Sequence, residues 1–173
     1  LEVATNLKVV GRAGVGVDNI DVQACEERGV AVVHTPDANS ESVVEFVLTT
    51  MLSSLRTLNH VSAALSQEKW DELRNASMTQ KEFSETTIGI IGFGRIGSRL
   101  GRLACALGFN VLFCDLLKIK ETQGCKQVEL DTLLSRSDVI SIHVDGRSEN
   151  KHLCNATMFT SLKPDVLFMN SSR

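Results

Sequence analysis

One segment limits the possible folds of this chain more than any other: residues 87–97, with the sequence TIGIIGFGRIG. The apolar, mostly β-branched residues before Gly92 predict a strand that is buried on both faces. The residues from Arg95 onward carry the apolar stripe of an amphipathic helix, which is predicted to end at Gly108. A strand, a glycine turn and a helix in this order predict a unit of a parallel α/β fold.

The three glycines of this segment have the spacing Gly-x-Gly-x-x-Gly. Gly92 allows a tight turn, Gly94 lets the backbone approach a pyrophosphate, and Gly97 lets the helix pack closely against the strand. The free N–H groups and the dipole at the start of a helix favour phosphate groups. We therefore predict that 92–97 is a dinucleotide-binding loop rather than a merely structural turn.

An acidic residue follows the next predicted strand, 110–114. Asp115 lies where a carboxylate can accept hydrogen bonds from the ribose hydroxyls of an adenosine. Because an acidic group there would repel a 2′-phosphate, the sequence favours NAD over NADP.

The composition argues against several classes of function. The chain has 173 residues, 43% of them hydrophobic, which suffices for one sizeable domain or parts of two. A net charge of −3 gives no electrostatic reason to expect nucleic acid or an acidic membrane as a partner, and no apolar run is long enough to span a bilayer. Five scattered cysteines without a CxxC pair predict reduced thiols in a cytoplasmic protein, not a disulfide framework or a metal site.

The first part of the chain predicts a small βαβ unit, with a strand at 7–10, a glycine-rich loop at 11–19, a helix at 21–28 and a strand at 30–34. A long helix is predicted next, from about Ser42 to about Asn59, opened by a capping box of Ser42 and Glu45. A second helical stretch runs to about Trp70, and polar connecting chain follows from 71 to 86.

The second half predicts alternating strands and helices. The strands are at 88–91, 110–114, 126–128, 139–143 and 166–170, and the helices are at 95–108, 131–135 and 156–161. This alternation predicts an α/β fold with a doubly wound parallel sheet. Ligands of such sheets bind at the carboxyl ends of the strands, where we expect the glycine loop, Val144–Asp145 and 170–173 to converge. Arg173 there either holds a substrate carboxylate or is a solvated terminal arginine.

Five segments, taken in order, resemble the D-isomer-specific 2-hydroxyacid dehydrogenase family over nearly the whole chain. They are 7–21, 35–45, 89–97, 137–144 and 169–173. The form RAGVGVDNID within the first segment is closest to the phosphoglycerate dehydrogenase branch. The resemblance implies a partial, flavodoxin-like substrate domain over 1–38. It also implies a Rossmann-like NAD-binding domain over 39–173, which includes the linker helix and lacks its last strands.

The resemblance also implies an activity and the residues that carry it. The activity is hydride transfer between NAD and a D-2-hydroxy acid, with 3-phosphoglycerate as a candidate, by a cytoplasmic homodimer. Arg173 would anchor the substrate carboxylate and polarise the reacting carbon. Substrate contacts are further implied for Gly14, Val15, Gly16 and Asn39, and NAD contacts for Gly92, Gly94, Arg95, Ile96, Gly97, Asp115, Val144, Asp145 and Ser171. For Gly14 and Gly16 the alternative is a turn that needs positive φ.

The sequence departs from the family pattern in two ways. Asp145 stands where the family usually has a proline. The acid/base histidine and its partner glutamate lie downstream of the arginine motif in the family, and the chain stops at Arg173. The four histidines, His34, His60, His143 and His152, are predicted to be structural or solvated. We therefore expect an incomplete stretch of a dehydrogenase.

Two alternative functions remain open from the sequence. One is a non-catalytic, NAD-sensing interaction protein, like the transcriptional corepressors built on the same scaffold. The other is a fragment that binds a dinucleotide and catalyses nothing.

Overall fold

The computed structural model of the chain describes residues 1, 3–56, 59–78, 80–120, 122 and 124–172. The chain divides into two compact units, Leu1–Ser42 and Val43–Arg173. The boundary predicted between residues 38 and 39 lies a few residues before this division.

The first unit is the predicted βαβ arrangement. Strands β1 (Val9–Arg12) and β2 (Ala31–His34) pair in parallel, with Val9 opposite Ala31 and Arg12 opposite His34. Helix α1 (Val22–Glu27) connects them, and the Asp21 carboxylate caps it by accepting a hydrogen bond from the Ala24 N–H at 2.9 Å. The first strand begins two residues later than predicted.

Two helices follow, and both differ from the predictions. Helix α2 covers Ser40–Leu55, so the predicted capping box of Ser42 and Glu45 lies inside the helix and does not begin it. Helix α3 covers Gln67–Met78, so the prediction of connecting chain from residue 71 was wrong. None of its residues is buried, and the apolar stripe that identifies most helices is therefore missing. Polar pairs one turn apart support it instead, such as Lys69 with Glu72 at 2.6 Å.

The second unit contains a five-stranded sheet in which every neighbouring pair is parallel. The strands are β3 (Thr87–Ile91), β4 (Asn110–Cys114), β5 (Lys126–Gln127), β6 (Val139–Ile142) and β7 (Leu167–Asn170). Their spatial order is β5-β4-β3-β6-β7. The order reverses beside β3, as the prediction of a doubly wound sheet requires.

Helices cover both faces of this sheet: α4 (Arg95–Ala106), α5 (Leu130–Arg136) and α6 (Ala156–Thr160). Along β3 the side chains alternate between two apolar cores. Ile88 and Ile90 belong to the core that also contains residues of α2 and α4, whereas Ile91 belongs to the core with residues of α5 and α6. Residues 88–91 are all buried, which confirms the prediction that this strand is covered on both faces.

Within the described ranges, no helix is both long and apolar enough to cross a membrane.

Candidate functional site

The turn after β3 requires a glycine for two reasons. Gly92 has φ of +89°, a left-handed conformation that side chains disfavour. A Cβ at this position would also lie 2.6 Å from the carbonyl oxygen of His143 at the end of β6. The chain therefore turns sharply and stays in contact with the neighbouring strand.

The other two glycines differ in what surrounds them. A Cβ at Gly97 would collide with the carbonyl oxygen of Gly92, so the first turn of α4 packs directly on the glycine turn. At Gly94, the residue before α4, a Cβ would meet no atom of the described residues within 4 Å. Gly94 therefore presents open space at the start of a helix, which is where backbone N–H groups and the helix dipole bind phosphates.

The two residues that open α4 were also predicted to meet the cofactor. Arg95 is exposed, while Ile96 is half-buried and packs against the core beneath the helix. In an α-helix, the first N–H groups have no carbonyl partner within the helix itself. Ile96 can therefore contact a pyrophosphate through its backbone, while its side chain fixes the helix to the sheet.

The Asp115 carboxylate at the end of β4 links two loops. Its Oδ2 accepts a hydrogen bond from the Phe93 N–H at 2.7 Å, and its Oδ1 accepts one from the Leu117 N–H at 2.9 Å. A carboxylate oxygen can accept more than one hydrogen bond, so both retain capacity for ribose hydroxyls. Asp115 lines a cleft of about 450 Å³ together with Gly92 and Gly94.

The loop after β6 forms another wall of this cleft through Val144, Asp145 and Arg147. The Arg147 guanidinium donates to both Asp145 carboxylate oxygens, from Nε to Oδ1 at 2.6 Å and from NH2 to Oδ2 at 2.5 Å. These hydrogen bonds hold the pKa of the exposed Asp145 carboxyl below its usual value. Sequence reasoning missed Arg147, although an acid and a base two residues apart, in a loop that also contains Gly146, could have indicated the pair.

His143 joins β6 to the residue that follows β7. Its Nε2 lies 2.8 Å from the Ser141 hydroxyl, and its Nδ1 lies 3.3 Å from the Ser171 hydroxyl. Burial lowers the pKa of His143 to about 4, so the ring is neutral near pH 7. Ser171, a predicted cofactor contact, is thus held in place by its contact with His143, the residue that follows β6.

The carboxyl ends of the predicted segments therefore lie together. Val144 and Asp145 line the cleft beside the glycine loop, and they also line a second cleft of about 480 Å³ with Asn170 and Ser172. Arg173, the predicted anchor of the substrate carboxylate, lies outside the described residues.

The remaining predicted substrate residues lie in the first unit. Gly14 has φ of +152°, and its N–H donates to the Thr35 hydroxyl at 2.9 Å. The carbonyl oxygens of Val15 and Gly16 contact His34 Nδ1 at 2.9 Å and Arg12 Nε at 3.2 Å, respectively. Asn39 is exposed just before α2. The positive φ supplies a structural reason for glycine at 14, and the substrate role of all four residues stays a prediction.

Comparison with known proteins identifies the family. Residues 48–173 match the family model described as D-isomer specific 2-hydroxyacid dehydrogenase, NAD binding domain. The chain belongs to this family. The resemblance, the α/β fold class and the choice of NAD as cofactor, all predicted from the sequence, are thereby confirmed.

The relatives of this 2-hydroxyacid dehydrogenase domain include enzymes with different substrates in their names. The chain is 35% identical to hydroxypyruvate reductase of Thermotoga maritima, matching all of this chain and 56% of that protein. It is 37% identical to D-3-phosphoglycerate dehydrogenase of Archaeoglobus fulgidus, matching all of this chain and 33% of that protein. The chain thus spans about half or less of these curated relatives.

A solved structure has the same fold. The D-lactate dehydrogenase of Aquifex aeolicus, complexed with NAD and lactic acid, superposes with a TM-score of 0.79 at 32% identity. The match covers 96% of this chain and 50% of that one. The glycine loop and Asp115 of the present chain fit the same cofactor: Gly94 leaves space for a diphosphate, and Asp115 faces the cleft as an acceptor.

Proposed function

We propose that this chain is part of an NAD-dependent oxidoreductase that transfers a hydride between nicotinamide and C2 of a D-2-hydroxy acid, with 3-phosphoglycerate as the candidate substrate. The observation that carries the proposal is the cleft shared by Gly92, Gly94 and Asp115 at the carboxyl end of the sheet. The names of the relatives, a hydroxypyruvate reductase and a phosphoglycerate dehydrogenase, support this class of substrate.

The reaction divides into a hydride and a proton. When bound, NAD would supply the acceptor for the hydride of C2; the substrate hydroxyl proton would pass to a base, so that the alcohol becomes a ketone. Arg173 would hold the carboxylate by two parallel hydrogen bonds. The resemblance separately assigns substrate contacts to Gly14, Val15, Gly16 and Asn39 of the first unit. His143 does not fit the role of the base, because its pKa is near 4 and both ring nitrogens contact serine hydroxyls.

Two measurements test this proposal in the protein that contains this chain: calorimetric titration with NAD and a turnover assay. We expect NAD binding by both the wild type and Arg173→Ala, because the guanidinium is assigned to the substrate. We expect kcat/KM for 3-phosphoglycerate or another D-2-hydroxy acid to fall about 30-fold or more in Arg173→Ala, since losing a bidentate anchor costs about 2 kcal/mol. Unchanged turnover would contradict the role of Arg173. NAD binding without reduction by any 2-hydroxy acid would favour the non-catalytic, NAD-sensing alternative.

We also propose that the protein forms a homodimer. Large apolar side chains are exposed on two helices of the second unit: Phe46 of α2 is 67% exposed, and Trp70 and Met78 of α3 are 55% and 71% exposed. A second copy would remove this surface from water. We expect light scattering at micromolar concentration to give twice the mass of one chain for the wild type. The double variant Phe46→Ser, Trp70→Ser should have the mass of a single chain. A wild-type monomer would contradict the proposal.

A further inference from the structure

Two cysteines that the proposed function does not use are in contact with each other. Cys105 lies in the last turn of α4, and Cys125 comes immediately before β5. Their Sγ atoms are 3.6 Å apart, close enough for one thiol to donate a hydrogen bond to the other. Both pack in the apolar core that contains residues of α4, where Cys125 is buried and Cys105 is half-buried. A small molecule can therefore reach the pair at Cys105.

The backbone holds the two sulfur atoms together. Gly101 is one helical turn before Cys105 on the same face of α4, and a Cβ at Gly101 would lie 2.8 Å from the Cys125 Sγ. The missing side chain thus makes room for this sulfur against the helix. Cys125 ends a turn in which its N–H donates to the Thr122 carbonyl oxygen at 2.9 Å. Gly124 in this turn has φ of +92°, and its Cβ position is 3.6 Å from the Cys105 Sγ.

We propose that Cys105 and Cys125 form a reversible disulfide that links the edge strand β5 to α4 when the protein meets a low-molecular-weight disulfide. A disulfide bond is about 2 Å long, so the two sulfur atoms have to approach by about 1.5 Å. Rotation of one thiol about its Cα–Cβ bond moves the sulfur farther than that. Cytosolic disulfides are transient and redox-sensing as a rule, so the reduced thiols of this structure are the other state of the same pair.

The reaction is thiol–disulfide exchange in two steps. The Cys105 thiolate attacks one sulfur of the small disulfide, which forms a mixed disulfide and releases one thiolate of the small molecule. The Cys125 thiolate then attacks the Cys105 Sγ and releases the second thiolate. The protein thus loses two electrons and two protons, and the small disulfide is reduced to two thiols. Burial, and next the neighbouring Cys105 thiol, raises the pKa of Cys125, so Cys125 stays protonated during the first step.

The strand that this bond would hold is short and supports another loop. In the described part of the sheet, β5 is an outer strand of two residues, Lys126 and Gln127, and it pairs with β4 alone. The Gln127 side chain donates to the Leu117 carbonyl oxygen at 2.8 Å and accepts from the Ile119 N–H at 3.1 Å. A link between β5 and α4 therefore also stabilises the loop that follows β4.

The bond would leave the cofactor cleft open. Helix α4 begins at the cleft, and Cys105 lies in its last turn, about 15 Å farther along the helix axis. Among the described residues, the walls of the cleft include Cys114 but neither Cys105 nor Cys125. Cys114 packs in the other apolar core, with residues of α5 and α6, and is therefore not positioned to replace either partner. This inference is independent of the proposed function.

The test maps the disulfide in the protein that contains this chain. The protein would be equilibrated with reduced and oxidised glutathione at about 1 mM each, alkylated, digested with trypsin and analysed by mass spectrometry. We expect peptide 103–118 to be linked to peptide 121–126 in more than half of the chains, because thiols held in contact react as an intramolecular pair. Dithiothreitol should reverse the linkage. Free thiols, separate glutathione adducts, or fragment ions that place the linkage at Cys114 would overturn the inference.

Three variants test the pairing and the order of the steps. We expect Cys125→Ala to keep glutathione on Cys105 as a mixed disulfide, because the second thiol is missing. Cys105→Ser should show neither the linkage nor an adduct on Cys125, which is buried. Cys154→Ala is the matched control, since it removes an exposed cysteine and should form the linkage as the wild type does. A glutathione adduct on Cys125 in Cys105→Ser, or loss of the linkage in Cys154→Ala, would overturn the proposed reaction.

Hydrogen exchange and NAD titration test what the bond does. We expect the β5 amides to exchange about 10-fold more slowly in the oxidised wild type than in the reduced one, because the link opposes local opening of the strand. In Cys105→Ser the oxidant should not change this rate. NAD affinity should stay within about 2-fold on oxidation, since the bond lies away from the cleft. Equal exchange in the two redox states, or loss of NAD binding on oxidation, would overturn the role assigned to the link.

Discussion

Replacing Gly97 with alanine is expected to lower the free energy of unfolding by about 3 kcal/mol and to abolish NAD binding. The new Cβ would collide with the Gly92 carbonyl oxygen and lie 3.1 Å from Cγ2 of Ile90. The carbonyl belongs to the turn that follows β3, so it cannot move away without disturbing the central strand. Urea denaturation followed by circular dichroism measures the loss of stability, and calorimetry measures the loss of binding.

Gly94→Ala is the matched variant, since it adds the same methyl group three residues earlier. The backbone there has φ of −74° and ψ of −153°, so its φ lies outside the left-handed range that favours glycine, and the Cβ would point into open space. We expect the free energy of unfolding to stay within about 1 kcal/mol of the wild type, while NAD affinity falls about 100-fold because the methyl occupies the space assigned to the diphosphate. Equal NAD affinity in Gly94→Ala would contradict this placement of the phosphates.

Lowering the pH is expected to destabilise the second unit through His143 before most carboxylates titrate. The pKa of His143 is lowered by burial from 6.5 to about 4 in the folded chain, so the unfolded chain binds the proton more tightly. The contribution of the neutral His143 to the free energy of unfolding is therefore fully present above pH 6.5 and decreases as the pH falls towards 4. The expected contribution is a loss of about 2 kcal/mol at pH 5 and about 3 kcal/mol at pH 4.

Urea denaturation at several pH values between 7.5 and 5 tests this prediction. His143→Gln should remove most of the pH dependence in that range, because glutamine does not titrate. His60→Gln serves as the matched control, since it makes the same substitution at an exposed position of the second unit. An equal slope in the wild type and in His143→Gln would show that other groups cause the destabilisation.

Features that depend on near neighbours in the chain could be predicted from the sequence. The β-branched residues before Gly92, the spacing of the three glycines and the strand that ends before Asp115 are local signals. The end of α4 is another, because Gly108 has φ of +94° just after the last helical turn. These local signals were sufficient to predict a doubly wound parallel sheet and NAD as the cofactor.

Features that depend on tertiary contacts could not be predicted. His143 and Ser171 meet although 28 residues separate them, and no local pattern indicates that their side chains share a hydrogen bond. Asp145 was recognised as a departure from the family, but its engagement by Arg147 depends on how the loop folds back. Helix α3 was missed because hydrophobic periodicity, the main signal for helices, is absent from a segment without buried residues.

The two hydrogen bonds of Asp115 affect how quickly a nucleotide can associate. The Phe93 and Leu117 N–H groups already donate to the Asp115 carboxylate in the free protein. The two loops that line the cleft beside the start of α4 therefore keep their conformation before the nucleotide binds. An arriving dinucleotide then loses little affinity to the entropic cost of ordering a loop. Its capture should be a single bimolecular encounter whose observed rate rises linearly with concentration, without the plateau that a slow rearrangement would impose.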